Sequence, residues 1–166
     1  MENSITLNLI QAVHLTTVLL TGLFYGYSCS VINGLGNLQD TTYLQSFQSI
    51  NKSIQNPYFF VSFIGSLFML PLSTWLSYKN CNPATFYLLL SATLIYTIAV
   101  FGVTIFGNVP LNEQLAKFAI STATTNEIAA MRKAFEKPWN LYHNIRTIAS
   151  IISFSLAILS LVNQKV

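Results

Sequence analysis

Residues 57–78, PYFFVSFIGSLFMLPLSTWLSY, contain no charged side chain. A helix over this stretch runs about 33 Å at 1.5 Å per residue, enough to cross the hydrocarbon core of a bilayer. Its start is well marked, because Asn56 can cap and Pro57 suits the first turn. Tyr58 at one end, and Trp75, Tyr78 and Lys79 at the other, have the chemistry of interfacial anchors. Pro71 predicts a kink.

The same pattern repeats outward. The chain has 166 residues, of which 52% are hydrophobic and only 8% charged, about a third of the usual charge of a soluble domain. No charge lies between Glu2 and Asp40, Lys52 and Lys79, Lys79 and Glu113, or Arg146 and Lys165. Each gap can hold the roughly 20 apolar residues that a membrane span needs. Four spans follow: Leu7–Cys29, Pro57–Tyr78, Pro83–Gly107 (opened by a second Asn-Pro pair, Asn82-Pro83) and His143–Val162. The fold expected is all-α, a single integral membrane domain over residues 1–166 built as a four-transmembrane-helix bundle. This composition excludes a soluble globular domain and a disordered chain, and a net charge of +3 is too small and too dispersed for a nucleic-acid partner. Met1-Glu2-Asn3 carries no basic residue, so the first span is expected to be retained rather than cleaved as a signal peptide.

Four spans place both termini and the short Lys79–Asn82 turn on one side. Two long loops, residues 30–56 and 108–142, share the other. Both are expected to be amphipathic and helical. Asp40 can cap a helix with Leu44, Phe47, Ile50 and Ile54 on one face; Thr124 and Glu127 form a capping box before Ile128, Met131 and Phe135. These helices lie on the lipid surface, close as a lid over the bundle mouth, or do both. The long-loop side carries Lys52, Lys117, Arg132, Lys133 and Lys137, against Lys79 and Lys165 opposite. The positive-inside rule then puts the long loops in the cytoplasm and the protein in the cell (inner) membrane.

Cys29 and Cys81 fall at opposite ends of the bundle, too far apart for a disulfide. His14 and His143 are likewise separated, and no His, Cys or carboxylate cluster has metal-ligand spacing. No metal is therefore expected. There is no phosphate-binding glycine loop or dinucleotide fingerprint either. His14 is read as a buried histidine bonded across the bundle, with Ser73, Thr74 and Ser91 as candidate partners. Four spans without an internal repeat or an intramembrane carboxylate offer little to couple transport.

Polar residues gather at the long-loop mouth, where each needs a partner or a function. Asn108-Val109-Pro110-Leu111-Asn112 reads as a proline turn flanked by two asparagines, exposing backbone carbonyls. Pro138 through Thr147 opens the fourth span. Trp139, His143, Arg146 and Ser150 fall on one helical face, expected to point into the bundle, and Tyr142 is an i, i+4 neighbour of Arg146. Plainer roles exist for each. Arg146 can snorkel to phosphates or pair with Glu113 or Asp40; Trp139 can anchor at the interface; Asn108 and Asn112 can satisfy a helix end.

These residues also carry a resemblance. Phe24-Tyr25-Gly26-Tyr27-Ser28, Phe47-Gln48-Ser49-Ile50-Asn51, Asn56-Pro57, Val103-Thr104 with Asn108 through Asn112, and Trp139 through Arg146-Thr147 resemble the anthrone oxygenase-like family of small four-helix membrane proteins. Many of its members have no assigned function. The resemblance covers nearly the whole chain, and the Asn-Val-Pro-Leu-Asn stretch paired with the Arg-Thr entry is its specific part. One departure is Tyr142-His143, where the family pattern has Trp-Asn.

The resemblance implies oxidation of an anthrone-like polycyclic phenol to a quinone by O₂, with no metal or flavin cofactor. Such a reaction needs a base, donors for an enolate oxygen and an apolar aromatic slot. His143 would be the base, and Arg146 with Asn108 and Asn112 the oxyanion donors. Trp139 and Tyr142 would form the stacking wall, with Asn51 also in the substrate-binding set. The partners implied are membrane lipid and a small hydrophobic aromatic substrate; a homodimer stays open. The alternative is a non-enzymatic membrane protein that binds a small hydrophobic or lipid-like ligand in the same slot.

Overall fold

The computed structural model describes residues 15–163. Among them the chain forms five helices: α1 (Leu15–Gly36), α2 (Asp40–Ser53), α3 (Pro57–Asn80), α4 (Pro83–Lys117) and α5 (Thr125–Val162). All but α2 are long and apolar enough to cross a membrane, so the chain is an all-α integral membrane protein with a four-helix bundle. His14 and the first residues expected in the first span lie outside the described residues.

The helix starts follow from local chemistry. The Asn56 side chain accepts from the Phe59 N–H at 3.1 Å and Asn82 from the Thr85 N–H at 2.9 Å, each followed by a proline that has no N–H to lose. Thr124 and Glu127 form the full capping box at the start of α5. The cap of α2 is Gln39, one residue before the expected Asp40, which instead supplies an acidic group to the first turn.

The spans end differently from the sequence reading. Helix α5 has 38 residues, about 57 Å, and runs unbroken through Pro138 instead of opening near His143. Its apolar stripe of Ile128, Phe135 and Trp139 is buried on both sides of the proline, and this packing holds the helix across one missing backbone bond. Helix α3 likewise continues through Pro71. Asn108 through Asn112 is helical, not a turn. A π-helical stretch, Thr104–Asn108, passes directly into Val109–Lys117, with Pro110 in the first turn where its missing N–H is harmless. Two further π-helical stretches are Tyr27–Val31 in α1 and Tyr96–Gly102 in α4.

Two cores result. In the membrane, Leu20, Phe24, Phe63, Leu70, Ala92, Tyr96, Val100, Ala149 and Ala157 pack together. Buried hydroxyls stitch this bundle: Ser153 donates to the Ala92 carbonyl at 2.9 Å, Tyr96 to the Phe63 carbonyl at 2.6 Å, and Thr74 and Thr93 meet at 2.8 Å. Large apolar side chains such as Phe68, Ile98, Phe106 and Ile148 face outward, as a lipid solvent requires. At the far end Asn82 donates to the Asn163 carbonyl at 2.6 Å, tying the short turn to the end of α5.

The second core lies at the long-loop end. Leu35, Tyr43, Leu44, Phe47, Leu115, Ile120, Ile128, Phe135 and Trp139 bury one another there. The packing is that of the lid open from sequence: α2 and the outer turns of α4 and α5 pack face to face. Arg132 clamps it. Its guanidinium meets Asp40 at 2.9 Å and Glu136 at 2.8 Å, donates to the Gly36 and Leu38 carbonyls at 2.9 and 2.6 Å, and lies 4.3 Å over the Tyr43 ring. Gln48 satisfies the end of α4 by donating to the Leu115 and Phe118 carbonyls.

Candidate functional site

Trp139, His143, Arg146 and Ser150, expected on one face of the last helix, are all buried in the bundle. The indole of Trp139 and the imidazole of His143 lie nearly parallel, 10° apart with centroids at 5.0 Å. Phe24 and Tyr27 of α1 close one side, with their rings 5.8 and 5.2 Å from the imidazole. Phe47 of the lid stands edge-on to Trp139 at 4.7 Å. The π-helical turn at Tyr27–Val31 directs both Tyr27 and Ser28 at α5.

Arg146 is only 8% exposed. Its Nε and Nη2 point at His143 Nδ1, at 3.2 and 3.0 Å, and Nη1 lies 3.5 Å from Thr104 Oγ1. The guanidinium carbon sits 4.5 Å over the Phe24 ring and 5.2 Å over Trp139. Neither carboxylate considered from the sequence reaches it: Asp40 pairs with Arg132, and Glu113 is exposed. Among the described residues Arg146 makes no ion pair. A buried cation without a counter-ion is costly, and such residues inside membranes mark ligand or ion sites.

The geometry fixes the histidine. Nδ1 receives the Arg146 N–H groups, so in the neutral ring the proton sits on Nε2, which lies 2.9 Å from Ser28 Oγ. Thr147 Oγ1 backs this contact at 3.4 Å while donating its own proton to the His143 carbonyl. Ser28 and Thr147 escaped the sequence reading as site residues, although both fall within the stretches quoted for the resemblance.

The asparagines divide differently from expectation. Asn108 is fully buried, and its Nδ2 donates to the Trp139 carbonyl at 3.2 Å. Its Oδ1 faces the interior without a hydrogen-bond partner. Asn112 Oδ1 accepts the Trp139 indole N–H at 2.7 Å. Both amides therefore hold Trp139, Asn108 through one N–H and Asn112 through its carbonyl oxygen. Asn51 lies in the lid helix with its Nδ2 buried and unpaired, and the Tyr27 hydroxyl and Asn140 Oδ1 are in the same state.

Tyr142 does not join the wall. One residue from His143, it points to another side of α5 and lies flat against Gly107 of α4, where an added Cβ would come within 2.7 Å of the ring. The side chains at i and i+1 of a helix diverge by about 100°, so Tyr142 and His143 cannot line one slot. Cys29 is exposed on α1 and forms no disulfide among the described residues.

The family described as anthrone oxygenase matches residues 56–156, more than half of the chain, covering α3, α4 and α5 up to Leu156. No curated protein and no solved structure matches the chain.

Proposed function

The chain belongs to the anthrone oxygenase family, and we propose that it is a membrane-embedded, cofactor-independent oxygenase that converts an anthrone-like polycyclic phenol to a quinone with O₂. The observation that carries this reading is the buried Arg146 guanidinium, which makes no ion pair among the described residues and is boxed by aromatic rings. Such a site suits a flat apolar molecule that becomes an anion during reaction.

The ring-flanked CH₂ of an anthrone is acidic because its carbanion is an enolate. The substrate oxygen takes N–H groups from Arg146, and His143 Nδ1, relieved of that contact, takes the C–H proton. The enolate then gives electrons to O₂ and a C–O bond forms at the same carbon. Loss of the second C–H proton with O–O cleavage leaves a ketone. One O₂ is consumed: one oxygen becomes the new carbonyl and the other leaves as water, so carbon loses the four electrons that oxygen gains. Trp139 supplies the stacking face, held by Asn112 and Asn108. The protein is placed in the inner membrane with its lid in the cytoplasm, a reading supported by the five lysines and arginines on that side.

The test is anthrone-dependent O₂ uptake by the purified protein in lipid nanodiscs, with quinone formation followed by absorbance. Arg146→Met is expected to abolish turnover. Binding of anthrones without any O₂ uptake would put the non-enzymatic ligand-binding reading in its place.

A further inference from the structure

Six buried side-chain polar atoms have no hydrogen-bond partner among the described residues, and four of them belong to residues around Trp139. They are the Tyr27 hydroxyl on α1, Asn51 Nδ2 on α2, Asn108 Oδ1 on α4 and Asn140 Oδ1 on α5. The Tyr27 ring packs on Trp139 and His143 at 5.6 and 5.2 Å, and on Phe47 at 6.4 Å. Asn108 is tied to the Trp139 carbonyl through its other amide atom, and Asn140 is the next residue of α5. Asn51 stands one helical turn from Phe47, which is wedged edge-on against Trp139 and Phe135 at 4.7 Å each.

Each such atom has given up water and received nothing in return, so the closed seam is less stable than its packing alone would make it. The orphans are costly only while the seam is shut. Lifting α2 takes Phe47 out of its wedge and returns Asn51 and Tyr27 to water. The fold allows that movement. Helix α2 has 14 residues, crosses no membrane, and is joined to its neighbours by short non-helical links at 37–39 and 54–56. Against it stand the apolar lid core and the Arg132 clamp. Arg132 grips the near end of α2, through Asp40 at 2.9 Å, the Tyr43 ring at 4.3 Å and the Leu38 carbonyl at 2.6 Å. The unpaired Asn51 amide lies at the other end, in the last turn.

We propose that the lid is poised between two states: α2 lifts from Trp139 while the membrane bundle stays folded, with Arg132 as the latch that favours closing and the unpaired groups of Asn51 and Tyr27 favouring opening. Opening is then the water-side route to Trp139 and His143. The inference goes beyond the oxygenase reading and does not depend on it, because its readouts use no substrate. It carries an unusual sign. A polar side chain that is paired in the closed lid stabilises it, and an apolar replacement loosens the lid. An orphan does the reverse, and its apolar replacement tightens the lid.

Two measurements on the full chain in lipid nanodiscs read the opening. One is amide exchange of residues 40–53 by mass spectrometry, which follows the open population. The other is maleimide labelling of Leu115→Cys, a fully buried α4 position under α2, with Cys29→Ser and Cys81→Ser removing the chain's own thiols. Asn51→Leu, which keeps the side-chain shape, is expected to slow both by about tenfold. Tyr27→Phe, which removes one oxygen atom, should slow both as well. Arg132→Ala should speed both by about tenfold or more, with amide exchange across residues 143–162 unchanged. Faster exchange and labelling in Asn51→Leu and Tyr27→Phe would overturn the proposal, since those groups would then be settled contacts of the closed lid. If Asn51→Leu does not fold, Tyr27→Phe decides by the same sign. Exchange in α2 as slow as in the spanning helices of the natural protein would also overturn it, in favour of a fixed cap. So would labelling that changes only together with exchange across 143–162, because the motion would then be unfolding of the whole bundle.

Discussion

Replacing Arg146 with methionine removes the buried cation and keeps a flexible side chain of comparable reach. Its losses are the two contacts with His143 Nδ1 and the faces of Phe24 and Trp139. Leaving Nδ1 without a donor costs about 1–3 kcal/mol, and the cation–π contacts are worth about 1–2 kcal/mol together. Against this stands the desolvation of an ion that no carboxylate among the described residues compensates, several kcal/mol even after relaxation. The terms nearly cancel, so Arg146→Met is expected within about 2 kcal/mol of the natural protein. Adding His143→Leu removes the orphaned acceptor as well, and the double variant should exceed the natural protein by about 1–3 kcal/mol. Arg146→Lys keeps the charge, but its compact, strongly hydrated ammonium cannot bridge Nδ1 and two ring faces. It should be the least stable of the set. Thermal unfolding in detergent reads this order, at about 2–4 °C per kcal/mol. A lysine variant more stable than the methionine variant would refute the reasoning. So would a methionine variant that melts more than about 10 °C lower, because the guanidinium would then be a well-compensated structural anchor.

Other outcomes follow from the lid and the helix contacts. Thr124→Ala removes one half of the capping box and should cost about 1 kcal/mol, read as faster amide exchange in the first turns of α5. Arg132→Ala frees the Gly36 and Leu38 carbonyls and both carboxylates, and should expose the lid to limited proteolysis. Arg132→Lys should not rescue it, since one ammonium cannot reach all four groups. Tyr43 in the lid is held well above the ordinary tyrosine range, by burial first and then by Glu136 and Tyr27, with Arg132 opposing. Its hydroxyl is protonated in the folded lid at pH values where the unfolded chain has lost that proton. Stability is therefore full below about pH 10 and falls as pH rises beyond it. Tyr43→Phe should flatten that alkaline loss in a denaturation series.

The sequence carried the helices well because membrane physics writes them in plain terms. Uncharged stretches must be long enough to span, and the Asn-Pro and Thr-x-x-Glu starts act through neighbours only two or three residues away. The stripe of Trp139, His143 and Arg146 was legible for the same reason, being a property of one helix. The errors arose where a second helix decides. Proline at position 138 signals a break, yet packing on both sides carries the helix through. Tyr142 is an i, i+4 neighbour of Arg146 on one helix, whereas Gly107 on α4 decides where its ring rests. The role of Ser28 depends on π-helical register and on partners more than a hundred residues away, for which no local pattern exists, whereas Thr147 lies i+4 from His143 on the same helix. Arg132 counted only as a loop charge in the sequence; its part as the clamp of the lid appears once α1, α2 and α5 meet.

The contact between Arg146 and His143 sets one further condition on the chemistry. Nε and Nη2 of Arg146 both converge on Nδ1, and Nε2 faces Ser28, so neither ring nitrogen offers a free lone pair in the resting site. A substrate oxygen that draws the guanidinium away uncovers Nδ1 in the same movement. On the proposed mechanism the base is thus exposed only when an acceptor for the cation has arrived, which would tie proton removal to correct seating of the ligand. His143→Asn separates the two roles, because a side-chain carbonyl accepts from Arg146 yet takes no proton at neutral pH. With Trp75 replaced by Phe so that Trp139 alone reports, quenching of Trp139 by 9,10-anthraquinone should persist in this variant, while O₂ uptake falls by about 10²–10⁴, the range of general-base catalysis. Undiminished turnover would show that His143 only positions Arg146 and that the proton leaves by another group; the asparagine in the resembling family's pattern makes that outcome a real contest. Loss of quenching as well would mean that the imidazole ring, stacked 5.0 Å from the indole, is part of the ligand's binding surface itself.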